Sequence, residues 1–198
     1  MARPRAFDES DVLAKARDQF WAYGYAATSV QDLESATGLS RSSLYATFGD
    51  KRHLYVRVLQ TYRGDSQTYL RDLVAFAKTF HDAVERLFCD AAVRICACPL
   101  RKGCLIANAT AELASVDDEV SAFVSDNRET FVTTLLPLAE RDASRLPLKP
   151  AAACDFVFTL YSGLSLLGKS GASHEEVLAV AQAGVTSLRA ENSATNRA

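Results

Sequence analysis

Two groups of residues carry side chains that could do chemistry. The first is Ser40-Arg41-Ser42-Ser43 with Tyr45, Ala46 and Thr47, where hydroxyls, a guanidinium and small side chains fall close together. Short hydroxyl side chains and an arginine near a helix N-terminus can approach base edges and phosphates in a DNA major groove. The second is Cys89, Cys96, Cys98 and Cys104, four thiols within 16 residues. Such a cluster invites a zinc site. Cys96 and Cys98 are two apart, however, which on a helix points them to different faces, and neither C-x-x-C spacing nor a histidine partner accompanies them. Buried cysteines acting as small hydrophobes are the commoner outcome. Cys104 is the exception, because it follows Gly103 at or near a helix start, where backbone amides stabilise a thiolate.

No Ser-His-Asp spacing, phosphate loop or carboxylate pair is recognisable, and His53, His81 and His174 are isolated. Catalysis is therefore not expected, and no motif calls for a cofactor or a metal.

The elements that must position the first group run from Thr28 to Lys51. Thr28 and Gln31 are spaced as a capping box, which predicts a helix from Val30 to about Thr37, with Val30, Leu33 and Ala36 apolar at helical spacing. Gly38 stands where a left-handed cap is wanted. Ser40 then caps a short polar helix anchored by Leu44 and Phe48, and Gly49 and Asp50 stop it. An ordinary surface hairpin is the alternative, disfavoured by two successive capping signals at this spacing. Ahead of this segment, Asp8 caps a first helix carrying Val12, Leu13, Ala16, Phe20 and Tyr23, closed by Gly24. Trp21 and Tyr23 are expected in the core.

Beyond it, everything reads as helix, with no alternating strand pattern. A long fourth helix runs from Lys51 towards Phe76, with Leu54, Val58, Tyr62 and Tyr69 as its stripe. Further helices are expected over His81 to Cys98, ended by Pro99, over Cys104 to Leu113, and from Asp117 to about Arg141, where Pro137 should kink or shorten the chain's course. The last two are Ala151 to Gly168 and His174 to about Arg189, with a polar, fraying tail. These two carry more apolar surface than one helical face can bury.

Composition bounds the rest. The 198 residues are 48% hydrophobic with a net charge of −2, which suits a compact soluble protein. The apolar run within Phe156 to Leu167 is interrupted by Thr159, Ser162 and Ser165 and falls short of a spanning segment of about 20 residues. The polar N-terminus is no signal peptide, so the expected location is the cytoplasm. Five cysteines, an odd number, argue against a disulfide framework. Residues 1–53 hold seven basic and seven acidic groups, so any grip on phosphates comes from position: Arg3 and Arg5 in an N-terminal arm, Arg41, and Lys51 with Arg52 at the next helix start, helped by helix N-terminal amides.

Residues 7–62 resemble the DNA-binding domain of TetR-type transcriptional regulators. The resemblance lies in Ala16 and Phe20, the Gly24-Tyr25-x-x-Thr28-Ser29-Val30 segment, Gly38-Leu39-Ser40, Leu44-Tyr45-x-x-Phe48, and Lys51 with Leu54. It implies an all-α fold, with an N-terminal three-helix helix-turn-helix domain over residues 1–50 and a helical ligand-sensing and dimerisation domain over 51–198. It further implies a repressor that binds a palindromic double-stranded DNA operator and leaves it on meeting a small-molecule inducer. Thr28, Ser29, Arg41, Ser42, Ser43, Tyr45, Ala46, Thr47 and Lys51 would face DNA, with Tyr45 and Lys51 mainly on phosphates and Arg41, Ser42 and Ser43 on bases. A homodimer would form through residues 151–189, where Ser162, Gly163, Ala179, Ala183 and Gly184 permit close approach; completing the monomer core is the plainer use of that surface. An inducer cavity would be bordered by the fourth helix, Cys104, Phe131 and Phe158, with Asn108 and Tyr161 as polar groups.

Gly103-Cys104-Leu105 with Ala111-Glu112 further resembles electrophile- and oxidant-responsive, NemR-like members, in which Lys169 also finds a match. That resemblance implies an alternative, a thiol sensor acting through Cys104 with Lys169 lowering its pKa. A metal-binding sensor or enzyme is a distant third.

Overall fold

The computed structural model describes residues 7–97 and 100–189. Arg3, Arg5, Cys98, Pro99 and the tail from residue 190 onward lie outside the described residues. Among those described, the chain forms nine α-helices, one 3-10 turn and no strand. The helices are α1 (Glu9–Tyr23), α2 (Val30–Thr37), α3 (Arg41–Phe48), α4 (Lys51–Phe76), α5 (Phe80–Ala97), α6 (Leu105–Leu113), α7 (Asp118–Arg141), α8 (Pro150–Lys169) and α9 (His174–Ser187).

Two compact units divide the chain: Met1–Ser66 with Leu105–Val124, and Gln67–Cys104 with Ser125–Ala198. The N-terminal unit therefore takes in more than the first fifty residues. Leu54, Tyr55, Val58 and Leu59 on α4 are almost wholly buried and complete the core begun by α1 to α3, while α6 and the first turns of α7 join the same unit.

In that unit the Asp8 carboxylate accepts from Ser10 N at 2.9 Å and caps α1, whose Val12, Leu13, Ala16 and Phe20 are buried. Phe20 meets Tyr55 edge-on at 4.9 Å, and Tyr25 lies 5.0 Å from the same ring. With the core filled by these rings, Tyr23 remains 62% exposed rather than buried as its spacing suggested. Trp21 packs edge-on against Tyr62 at 5.1 Å.

The capping box of α2 is shifted by one residue from the sequence expectation. Ser29 is the N-cap, accepting from Asp32 N while Asp32 Oδ2 accepts from Ser29 N at 2.8 Å. Thr28 is fully buried and its hydroxyl donates to Gly24 O at 2.7 Å, so it neither caps α2 nor presents a surface to DNA.

The C-terminal unit is built on α5, α8 and α9, with Phe80, Val84, Leu87, Phe88, Val157 and Leu164 among its fully buried side chains. The buried Asp142 carboxylate accepts from Phe80 N at 2.7 Å and thereby caps α5 from a distance. α7 runs through Pro137 and ends at Arg141, where the sequence placed its end. Pro150 occupies the first turn of α8, where its missing N–H costs nothing. At 20 residues and a mean hydropathy of 1.4, α8 is long and apolar enough to cross a membrane by length and composition. This exceeds the interrupted run read from the sequence. One face, with Ala153, Cys154, Val157 and Leu164, is buried in the unit's core.

Two glycines are required by this packing. A Cβ on Gly184 would lie 2.0 Å from Leu160 Cδ2, and one on Gly168 would lie 1.9 Å from Ile95 Cγ2. Gly184 thus serves contact between α8 and α9 of one chain, not the approach of a second chain. Ile95 is the stiffer neighbour because its methyl is fixed by a β-branched χ1. Gly168→Ala is expected to destabilise the protein by about 1–3 kcal/mol through overpacking, read as a lower urea midpoint at unchanged m-value.

Candidate nucleic-acid interface and thiol cluster

The turn between α2 and α3 is shaped by Gly38, whose φ of 75° and ψ of 9° are left-handed, and by Ser40, whose hydroxyl accepts from Ser43 N. Leu33, Leu44 and Phe48 are buried beneath it. Glu34 Oε1 accepts from Arg41 N at 2.6 Å, which ties the first turn of α3 to α2.

These anchors leave Arg41, Ser42 and Ala46 exposed, with Ser43, Tyr45 and Thr47 half-buried beside them. Ser40 Oγ lies 2.9 Å from Ser42 Oγ and 3.1 Å from Ser43 Oγ, so three hydroxyls form a connected patch at the helix N-terminus. The Arg41 guanidinium stands over the Tyr45 ring at 5.2 Å. Thr47 donates to Ser43 O at 2.9 Å. Its hydroxyl proton is used within the helix. A short helix offering hydroxyls and one guanidinium on its exposed face matches the hydrogen-bonding needs of phosphates and base edges.

At the start of α4, the Lys51 ammonium sits 4.3 Å above the Tyr25 ring. Burial lowers its pKa, against the attraction of Glu112 and Asp32. Exposed Ser29 caps α2 nearby in sequence. Arg52, expected as a further phosphate group, is instead engaged: its Nε and Nη2 donate to the Asp117 carboxylate at 2.5 and 2.8 Å, and Nη1 lies 2.8 Å from Glu119 Oε2. The Arg52 bonds, joined by Val120 N and Glu119 N, hold the Asp117 carboxyl down at about 2. The sequence placed Asp117 correctly as a helix-start charge but gave no sign of its partner 65 residues away.

Glu112 was noticed only as part of a short motif. Its Oε2 accepts from Tyr25 N at 2.9 Å and its Oε1 from Ala26 N at 2.6 Å, so one carboxylate holds two successive amides of the turn leaving α1.

In the C-terminal unit, Phe131 lies edge-on to Phe158 at 5.3 Å and 6.0 Å from Tyr161. The Arg94 guanidinium covers the Tyr69 ring at 4.7 Å and reaches the Tyr161 hydroxyl at 3.4 Å, while Tyr69 donates to Asp90 at 2.6 Å. Burial, and then the charge of Cys104, push the Tyr161 phenol up. The predicted group Cys104, Phe131, Phe158 and Tyr161 therefore shares one unit, joined by Arg94, which the sequence reading missed; Asn108, on α6, belongs to the other unit.

Cys104 is half-buried and immediately precedes α6. Gly103, with a φ of 66°, lies so close to α8 that a Cβ there would meet Ser165 O at 3.1 Å and Lys169 Cβ at 3.6 Å. The stem of Lys169 thus adjoins the turn that carries Cys104. Burial pushes the Cys89 thiol up, and takes Cys154 to about 12. Among the described residues, no group of three or more His, Cys, Asp or Glu side chains could hold a metal ion. A small pocket of about 120 Å³ lies between α5 and α9, bordered by Phe88, Cys89, Ala181 and Val185.

Comparison with known proteins gives a consistent picture. The family model for bacterial regulatory proteins of the tetR family matches residues 12–58. The HTH-type transcriptional repressor ComR of Escherichia coli is 28% identical over 187 residues, covering 90% of this chain and 88% of its own length. The uncharacterized HTH-type regulator YezE of Bacillus subtilis is 30% identical over 123 residues, or 62% of this chain, and the match spans 63% of YezE. Among solved structures, the TetR family transcriptional regulator CifR, in a cysteine-substituted form complexed with 26-bp operator DNA, superposes with a TM-score of 0.83 at 27% identity. It covers 94% of this chain and all of that one.

Proposed function

The chain belongs to the TetR family of transcriptional regulators, and from that premise we propose that it is a homodimeric repressor that reads a two-fold DNA operator with α3 and releases it on binding a small-molecule inducer. The observation that carries this reading is the exposed face of α3. Its Arg41, Ser42 and Ala46 sit on a helix pinned from below by Leu44 and Phe48, and Lys51 begins the helix that follows. ComR carries the name repressor and CifR was solved on operator DNA, which supports the same role here.

Arg41, Ser42 and Ser43 supply base discrimination, with Ser29, Ala46 and Thr47 flanking them. Tyr45 and Lys51 act through phosphates. Arg41→Ala or Ser43→Ala is expected to relax preference at one operator position by about 1–3 kcal/mol, whereas Lys51→Ala weakens binding to every sequence nearly uniformly. Fluorescence anisotropy against a panel of single-base operator variants separates the two behaviours. Equal affinity of Lys51→Ala and wild type for all duplexes would remove α4 from the backbone contact.

The inducer site is assigned to the aromatic group of Phe131, Phe158 and Tyr161 with Cys104, all within the C-terminal unit. A second reading, in which the signal is covalent modification of Cys104, is favoured by the contact of Gly103 with α8 beside Lys169. The thiol is half-buried, stands just ahead of the start of α6 and adjoins the stem of Lys169 in the turn that Gly103 makes. CifR, similar in fold, was solved on DNA with three cysteines substituted.

A further inference from the structure

Glu112 is 87 residues from Tyr25 in sequence, yet both of its carboxylate oxygens are spent on the amides of Tyr25 and Ala26. Those amides leave the C-terminal end of α1 and lead to the helix-turn-helix. Gly24, with a φ of 87°, makes the approach possible: a Cβ there would stand 3.2 Å from one Glu112 oxygen and 3.4 Å from the other. Tyr25 in turn packs against Tyr55 at 5.0 Å and lies beneath the Lys51 ammonium at 4.3 Å. A carboxylate on α6 is thus one side chain removed from the residue expected to hold the DNA backbone.

The same segment is tied a second time. Arg52, next to Lys51 at the start of α4, donates twice to Asp117 in the loop that follows α6. Residues 105–124 belong to the compact unit of α1 to α3, although they lie far along the chain.

We infer that Glu112 is the positioning residue through which α6 sets the turn before α2 and, with it, the stance of Tyr25 and Lys51 on DNA. This rests on the DNA-binding role proposed above. A carboxylate accepting from two consecutive amides permits one arrangement of helix and turn, since shifting α6 along its axis would break both charge-assisted bonds together. Any signal that moves α6, whether ligand or adduct at Cys104 directly ahead of it, would then act on the turn. By reciprocity, binding of DNA must also be felt on α6.

The experiment uses the full chain and the duplex that wild-type protein selects from random-sequence DNA. Hydrogen exchange is measured with and without that duplex for wild type, Glu112→Gln and Glu112→Ala. In wild type, DNA is expected to slow exchange in peptides covering residues 24–27, 40–48 and 105–113. In Glu112→Ala the slowing at 105–113 disappears while that at 40–48 persists, and affinity falls by about tenfold, within the range of coupling between sites. Because Lys51 is retained but no longer held in place, the dependence of affinity on salt changes by less than it does in Lys51→Ala. Glu112→Gln, which retains one acceptor oxygen and no charge, falls between the two. If Glu112→Ala does not fold, Glu112→Gln decides by the same criteria. Undiminished DNA-induced slowing at 105–113 in the variants, or wild-type affinity in both, overturns the inference. Wild-type protein that selects no duplex overturns the DNA-binding reading instead.

Discussion

On the thiol reading, alkylation or oxidation of Cys104 is expected to lower operator affinity by about a thousandfold in the wild-type protein, from nanomolar to micromolar, and to leave a Cys104→Ser variant bound under the same dose of quinone or hypochlorite. That change corresponds to about 4 kcal/mol in favour of the released state. The site is suited to produce it. A Cβ on Gly103 would meet Ser165 O and the Lys169 stem, and an adduct on the neighbouring, half-buried Cys104 would add both bulk and an unsatisfied polar group. The residues that follow Cys104 form α6, which carries Glu112. Cys89 and Cys154, whose burial holds them as thiols, react slowly by comparison and their serine variants respond like wild type. The measurement is operator release by gel shift, with mass spectrometry to locate the adduct. A Cys104→Ser protein that still lets go of DNA would leave the small-molecule reading of the aromatic group in place and remove the thiol one.

A charge placed on the outward face of α9 produces the second large effect. Val180 is 40% exposed and Leu166 on α8 is 50% exposed, with Gly163, Ala179 and Ala183 also on the surface. If a second copy covers this face, Val180→Arg buries an unpaired guanidinium in each half of the interface, which costs several kcal/mol. The protein then sediments as a monomer. Its affinity for a two-fold operator drops by at least about a hundredfold, because the two half-sites are no longer engaged together. A Val180→Arg dimer with wild-type DNA binding would show that dimerisation uses another surface.

Much of the DNA-reading end was legible because its signals are local. Asp8, Gly24, Gly38 and Ser40 each mark a helix end by a bond or a backbone angle confined to a few residues, and each stands where the sequence placed it. Among these caps the one slip, Thr28 for Ser29, comes from two adjacent hydroxyls with Gln31 and Asp32 spaced alike behind them. What decides between them is tertiary: the Thr28 methyl is buried and its hydroxyl reaches Gly24 O.

Partners distant in sequence were not legible. Nothing in the spacing of Arg52 or Glu112 announces Asp117, or the amides of Tyr25 and Ala26, since such bonds depend on how helices are brought together. Of the small residues on α8 and α9 read as allowing a second chain to approach, Gly184 is instead consumed by Leu160 of the same chain, which leaves the exposed Gly163, Ala179 and Ala183 and the half-buried Ser162 for a partner. The apolar face of α5 was readable from periodicity, whereas Arg94, lying over Tyr69 and touching Tyr161, was not singled out from other surface charges.

The most direct test of the central claim is selection of duplexes from random-sequence DNA by the purified full-length protein, followed by footprinting of the enriched sequence. A two-fold site is expected, with half-sites one helical turn of about 34–36 Å or its multiple apart, protected by wild type and no longer discriminated at one base pair per half-site by Arg41→Ala. Enrichment of no sequence, or a single unpaired site read equally well by Arg41→Ala, would contradict the assignment of α3 as the reading helix of a dimeric regulator.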